Sequence, residues 1–230
     1  MTNIHLVGGE KGGVGKSLVS RILAQYLIDR EIPFVGFDTD RSHGALMRFY
    51  PEHASPALVN HYEALDRIVE TAVENPGKRI LVDLAAQTFD PLVKWMDDSG
   101  VVNLADEMDI QVHYWHVMDC GKDSVDLLKR LLDRFGTGLR YVLVRNQLRG
   151  NDFSLLELSG EQTRAQELGA KIITIKKLYE GVIMKIDNGS HSFAQAKSTE
   201  EDSIGFGLMD RQRVKMWLRD AYREFDDVGV

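Results

Sequence analysis

A single cysteine, Cys120, stands in 230 residues, so no internal disulfide is possible and no thiol cluster can hold a metal; this fits a reducing compartment. Apolar runs are only a few residues long, far below the roughly 20 needed to span a bilayer. The N-terminus lacks the basic-then-apolar layout of a signal peptide. There is no Pro/Gly/Ser-rich linker, internal repeat or low-complexity tract. Together these absences lead to the expectation of a soluble, cytoplasmic protein forming one domain over 1–230. Surplus positive charge is also missing: the net charge of −7 speaks against a general nucleic-acid coat. The sign is uneven, however, since residues 140–197 carry nine Lys/Arg against six Asp/Glu. That block reads either as a weak anion-facing patch or as ordinary surface variation.

What is present alternates. Apolar β-type runs occur at 3–8, 33–38, 79–85, 110–118, 140–146 and 171–175. Between them lie helical stripes: Leu18, Ile22, Leu23, Tyr26 and Leu27; Tyr62, Leu65, Ile68, Val69 and Ala72; Val125, Leu128, Leu131 and Leu132. Strands alternating with amphipathic helices predict an α/β fold, a mostly parallel central sheet with helices on both faces.

The first strand runs into GEKGGVGKS, residues 9–17, and then a helix. This nearly matches the phosphate-binding pattern G-x-x-x-x-G-K-[ST], with Glu10 where the first glycine belongs. Gly12, Gly13 and Gly15 let the backbone fold tightly and turn its N–H groups onto an anion at the positive end of the helix. Lys16 is placed to reach β- and γ-phosphates, and the Ser17 hydroxyl is a hard oxygen donor suited to Mg²⁺. The cradle survives the missing glycine.

These residues resemble a family. KGGVGKS is similar to the deviant Walker A loop of the ParA/MinD-type ATPases, a branch of the P-loop NTPases, in which the position of Glu10 is not fixed as glycine. The resemblance implies that Lys11 is the signature lysine, reaching the nucleotide of the other subunit when two ATP-bound monomers pair. It implies that ATP is held by Gly12, Gly13, Val14, Gly15, Lys16, Ser17 and Leu18. The stretch DTD ends the second strand, and the family's second aspartate, here Asp40, is associated with positioning the attacking water. Asp83, ending ILVD, resembles the Walker B aspartate that holds Mg²⁺ with Ser17. The family often has a proline shortly after that aspartate, and LAAQ lacks it. Asn146, after VLVR, matches an asparagine that meets the adenine edge. Read without the resemblance, the aspartates are also suited to capping a following helix and Asn146 to a turn. The strong likeness covers roughly the first 90 residues; beyond 150 only the pattern of strand and helix remains.

Other features have plainer readings. His113 and His116 lie three apart on a strand and point to opposite faces. Trp95, Trp115 and Trp217 read as core anchors. Val214, Trp217, Leu218, Ala221, Tyr222 and Phe225 form a helical stripe flanked by arginines; acids dilute the basic charge, so packing on the sheet is expected over membrane binding. Reductase iron proteins and arsenite pumps, which share this loop, rest on several cysteines, and the loop of dethiobiotin synthetase differs.

The resemblance therefore implies an ATPase that dimerises on Mg·ATP and hydrolyses it slowly, a switch for partition, mobilisation or positioning of plasmid or DNA cargo. Its implied partners are a second copy, nonspecific DNA and an adaptor protein. The DNA surface would draw on Arg140, Arg145, Arg149, Lys171, Lys176, Lys177 and Lys185. The alternatives are a membrane-recruited positioning ATPase of MinD type and an interaction module with a vestigial ATPase.

Overall fold

A computed structural model of the chain describes residues 2–9, 11–40, 44–198 and 205–230. Because parallel strands need long crossovers, usually helical, the predicted alternation closes into one sheet. Its strands are β1 (Thr2–Gly8), β2 (Phe34–Asp38), β3 (Ala54–Pro56), β4 (Arg79–Asp83), β5 (Ile110–Met118), β6 (Arg140–Asn146) and β7 (Lys171–Ile175). All pair in parallel, in the order β3-β2-β4-β1-β5-β6-β7. β1 is therefore central, and the loop that leaves it emerges at the middle of the sheet.

The crossovers supply α1 (Lys16–Asp29), α2 (Ala45–Phe49), α3 (Tyr62–Glu74), α4 (Phe89–Asp98), α5 (Val101–Glu107), α6 (Lys122–Phe135), α7 (Ser154–Leu158), α8 (Glu161–Glu167), α9 (Glu180–Asn188), α10 (Phe193–Lys197) and α11 (Leu208–Val228). Two apolar layers result. On one face α1, α2, α9, α10 and α11 bury Val19, Ile22, Phe49, Val182, Phe193 and Trp217 against Val7, Leu81 and Trp115. On the other, α3 to α8 bury Leu65, Trp95, Leu128 and Leu156 against Ile4, Ile80 and Tyr141.

Strand boundaries depart from the periodicity where backbone donors change partner. The run expected over 79–85 stops at Asp83 because the Ala85 N–H donates to the Thr39 hydroxyl oxygen (2.8 Å) instead of continuing the ladder. The run from 33 begins at Phe34, since Pro33 has no N–H to contribute. β3 was not legible: three residues, ending in a proline that only an edge strand tolerates.

The C-terminal stripe is a packing surface. Val214, Trp217, Leu218, Ala221 and Phe225 are buried in α11, the larger of them each contributing roughly 1.5–3 kcal/mol by removal from water. The Trp217 indole N–H donates to the Lys176 carbonyl at 2.6 Å, and the Glu224 carboxylate accepts from the Thr174 N–H at 2.9 Å. α11 thus also covers backbone donors of the edge strand β7, which would otherwise invite another chain. Among the described residues no helix is long and apolar enough to cross a membrane.

Candidate nucleotide site

The loop after β1 folds back because its glycines take conformations closed to other residues. Gly13 and Gly15 have φ of +77° and +93°, and a Cβ on Gly15 would come within 2.2 Å of the Asn146 amide nitrogen. Glu10 lies outside the described residues. Gly15 also serves as the N-cap of α1, a helix with no acidic residue in its first turn and no side chain capping its free N–H groups, so its positive end faces the loop. Val14 is buried beneath the loop, Ser17 and Leu18 are half-buried, and Gly12 and Gly13 are exposed. Lys16 is buried, its ammonium donating to the Lys11 carbonyl at 3.1 Å.

Beside the loop the insertion of β4 between β1 and β2 aligns Asp83 with both Val7 and Asp38. Two carboxylates thus stand side by side at strand ends, 3% and 1% exposed. Burial pushes Asp83 up to about 7, helped by the charge of Asp38 and opposed by the Ser20 and Ser17 hydroxyls and by Lys16. Ser20 on α1 donates to Asp83 at 2.9 Å. Burial also raises Asp38, against the Asp40 and Met47 N–H groups, which donate to it at 3.0 and 3.2 Å. Asp40 follows directly and is half-buried. Between the two, the Thr39 N–H donates to the Asp83 carbonyl at 3.0 Å.

The donor set fits Mg²⁺. A buried carboxylate pushed towards neutrality by a second one gains most from a nearby cation, and Ser17 adds another hard oxygen. Among the described residues no group of three or more His, Cys, Asp or Glu forms a complete cage. Mg²⁺ usually takes one or two carboxylates and completes its shell with substrate phosphates and water.

Lys11 lies against its own chain, 3.5 Å from both Asp119 and Asp123. Asp119, at the end of β5, is held below the usual carboxylate range: burial works against this, but the Ser124 hydroxyl, the Gly121 N–H and Lys11 outweigh it. Asn146 is buried. Its amide donates to the Val14 carbonyl at 2.8 Å and accepts from the Leu148 N–H at 3.2 Å, tying the end of β6 to the loop. The sheet therefore brings Lys11, Lys16, Ser17, Asp40, Asp83 and Asn146 to one rim.

Sequence reasoning missed Ser20, Thr39, Asp119 and Asp123. Ser20 sits one turn after Ser17, a spacing that puts both on one helix face. Asp119 follows the rule that open α/β sheets place ligands beyond the carboxyl ends of strands. Five cations of the basic block lie beside carboxylates, while Arg140 and Lys171 are exposed. Arg149 lies 3.8 Å from Asp119 beside the loop, Arg145 pairs with Glu157, Lys176 with Asp220, Lys177 with Glu180 and Lys185 with Asp210.

No protein-family model matches the chain. It is 27% identical to Protein MobD of Acidithiobacillus ferrooxidans over 98% of this chain and 97% of that one. It is 26% identical to Protein TraL of Escherichia coli over 100% of both. Among solved structures it is similar to the MinD cell division protein of Aquifex aeolicus, with a TM-score of 0.52 and 15% identity over 95% of each chain. With its glycine loop on the central strand of a seven-stranded parallel sheet, the chain has the fold of the MinD cell division protein and is similar along its whole length to MobD and TraL.

Proposed function

We propose that residues 1–230 act as one cytoplasmic ATPase domain that binds Mg·ATP, dimerises on it and hydrolyses it slowly, switching partition, mobilisation or positioning of plasmid or DNA cargo. The observation that carries this reading is the convergence of the glycine loop and Lys16 with the buried pair Asp38 and Asp83 at adjacent strand ends. The choice of cargo follows the likeness of the KGGVGKS loop to that of the ParA type.

In this reading the loop from Gly12 to Leu18 holds the phosphates by backbone N–H groups and Lys16 neutralises β- and γ-oxygens. Ser17 and Asp83 hold Mg²⁺, which when bound offsets charge on the phosphates. Asp40 orients the attacking water. Asn146, already fastened to Val14, positions the loop and meets the adenine edge. Lys11 acts in trans, so pairing with a second copy must exchange its contacts with Asp119 and Asp123 for contacts with the other subunit's nucleotide. Nonspecific DNA and an adaptor are the further partners of the dimer.

Sedimentation with Mg·ATP tests this. The wild type is expected to dimerise, Lys11→Ala to bind ATP yet remain monomeric, and Asp40→Ala to persist as a dimer because hydrolysis is blocked. A Lys11→Ala protein that dimerises normally removes the trans role; a wild type that binds no ATP removes the reading.

A further inference from the structure

Gln87, in the segment LAAQ that departs from the family pattern, occupies an unusual position. Among the described residues four non-glycine positions have positive φ: Glu31, Gln87, Asp109 and Ser190. Glu31, Asp109 and Ser190 each follow the C-cap of a helix, α1, α5 and α9, where the left-handed conformation is the usual way to stop. Gln87 does not. It precedes α4 by two residues, with φ +59°, a region that non-glycine residues visit rarely, Asn and Asp more readily than others.

The turn carrying it is fastened on both sides. Leu84 donates its N–H to the Val7 carbonyl at 3.0 Å, and Ala85 donates to the Thr39 hydroxyl oxygen at 2.8 Å. The Thr88 hydroxyl donates to the Ala85 carbonyl at 2.8 Å, and Phe89 then enters the core. Thr39 stands between Asp38 and Asp40, so one residue anchors both the Asp40 segment and the turn. Four residues beyond Asp83, Gln87 is exposed and lines a cavity of about 450 Å³ together with Lys11, Gly12, Asp123 and Ser124. A long uncharged amide thus borders the same cavity as Lys11 and Gly12 of the phosphate loop, on a backbone that a glycine would adopt more easily.

We infer that Gln87 is a further catalytic residue of ATP hydrolysis, holding the attacking water; this rests on the ATPase reading above. Its carboxamide has both functions the task needs, an oxygen to accept from the water and an N–H to donate to a γ-phosphate oxygen. Glutamine orients the attacking water in other P-loop hydrolases. The water oxygen bonds to the γ-phosphorus while the bond from phosphorus to the β–γ bridging oxygen breaks, its electron pair leaving with ADP. The water's protons end on phosphate and solvent, giving ADP, inorganic phosphate and H⁺. Gln87 itself exchanges no proton, since an amide is a poor base at neutral pH.

The test measures phosphate release, ATP affinity by calorimetry and dimerisation by sedimentation for the full chain and for Gln87→Leu and Gln87→Gly. Both variants are expected to bind ATP and dimerise within about twofold of wild type while turnover falls at least tenfold, appearing in kcat and not in KM. Gln87→Gly is also expected to unfold at a higher temperature, because the turn is relieved. If Gln87 only shapes the turn, glycine preserves turnover, and that result overturns the assignment. A wild type that hydrolyses ATP no faster than either variant overturns it alone; a wild type that binds no ATP overturns the ATPase reading with it.

Discussion

Two regions of the one sheet bury ionisable groups in different surroundings. At the carboxyl ends, Asp38 and Asp83 are surrounded by donors and positive charge: the Asp40 and Met47 N–H groups, the Ser20 hydroxyl and Lys16. Midway along the sheet His5 on β1 lies opposite His113 on β5, the rings stacked at 5.0 Å, with the pair Asn3 and Arg79 two residues back along β1. The Trp115 indole donates to His5 Nδ1 at 3.1 Å, which leaves the proton of the neutral ring on Nε2. His5 Nε2, His113 Nε2, Arg79 Nε and Asn3 Oδ1 are buried without a hydrogen-bond partner. Burial, then His113 and Arg79, hold His5 well below the ordinary histidine value; burial, then Arg140 and Arg79, bring His113 to about 4. Burial alone does not make a site. Burial disfavours charge in both places, but at the carboxyl rim hydroxyls, N–H groups and Lys16 work against that, whereas the histidine pair is met by further positive charge.

The largest effect that would break this comparison is at the rim. Lys16→Ala is expected to lower ATP affinity by about 2–3 kcal/mol, roughly 30- to 150-fold, the size of a charge-assisted phosphate contact. Calorimetry showing wild-type affinity would leave the rim no more a ligand site than the histidine pair.

A second measurement addresses the histidines through acid. Their folded pKa lies below the unfolded value near 6.5, so the unfolded chain binds more protons between about 4 and 6.5. Stability is therefore full above pH 6.5 and falls as pH drops towards 4, by on the order of 2 kcal/mol for His113. His116, also brought to about 4 by burial, adds in the same direction. Asp83, raised to about 7, works the other way over this range, so the variant carries the test: between pH 7.5 and 4.5 the urea midpoint of His113→Gln should fall less, or rise more, than that of the wild type. An unchanged slope in that variant would place the acid sensitivity elsewhere.

The smallest effect sharpens the contrast at the rim. Ser20→Ala removes the hydroxyl donor to Asp83 and should cost about 1–2 kcal/mol in the absence of nucleotide, read from urea unfolding. No loss would mean that Asp83 does not depend on that donor.

How much of this was readable varied by residue. The six main strands and the loop were legible because a fully buried parallel strand is a continuous apolar run and a phosphate loop must be rich in glycine. The stripe from Val214 to Phe225 could be seen as amphipathic, yet its choice of sheet over membrane rests on Trp217, Glu224 and Phe225 meeting β7 and Trp115. The basic block was legible as a count only. The acids that pair Arg145, Lys176, Lys177 and Lys185 lie on α7, α9 and α11, some 3 to 44 residues away in the chain.

By itself the sequence determined the α/β alternation, the place of the glycine loop between a strand and a helix, and Lys16 and Ser17 within it. These follow from side-chain periodicity and from local backbone conformations that only glycine adopts readily. Tertiary structure alone decided that Asp38 faces Asp83, that Lys11 turns to Asp119 and Asp123, and that Gln87 stands over the same cavity as Lys11. Each of these depends on β4 and β5 flanking β1, and strand order is chosen by the long-range burial of two sheet faces, which no local stretch of the chain encodes.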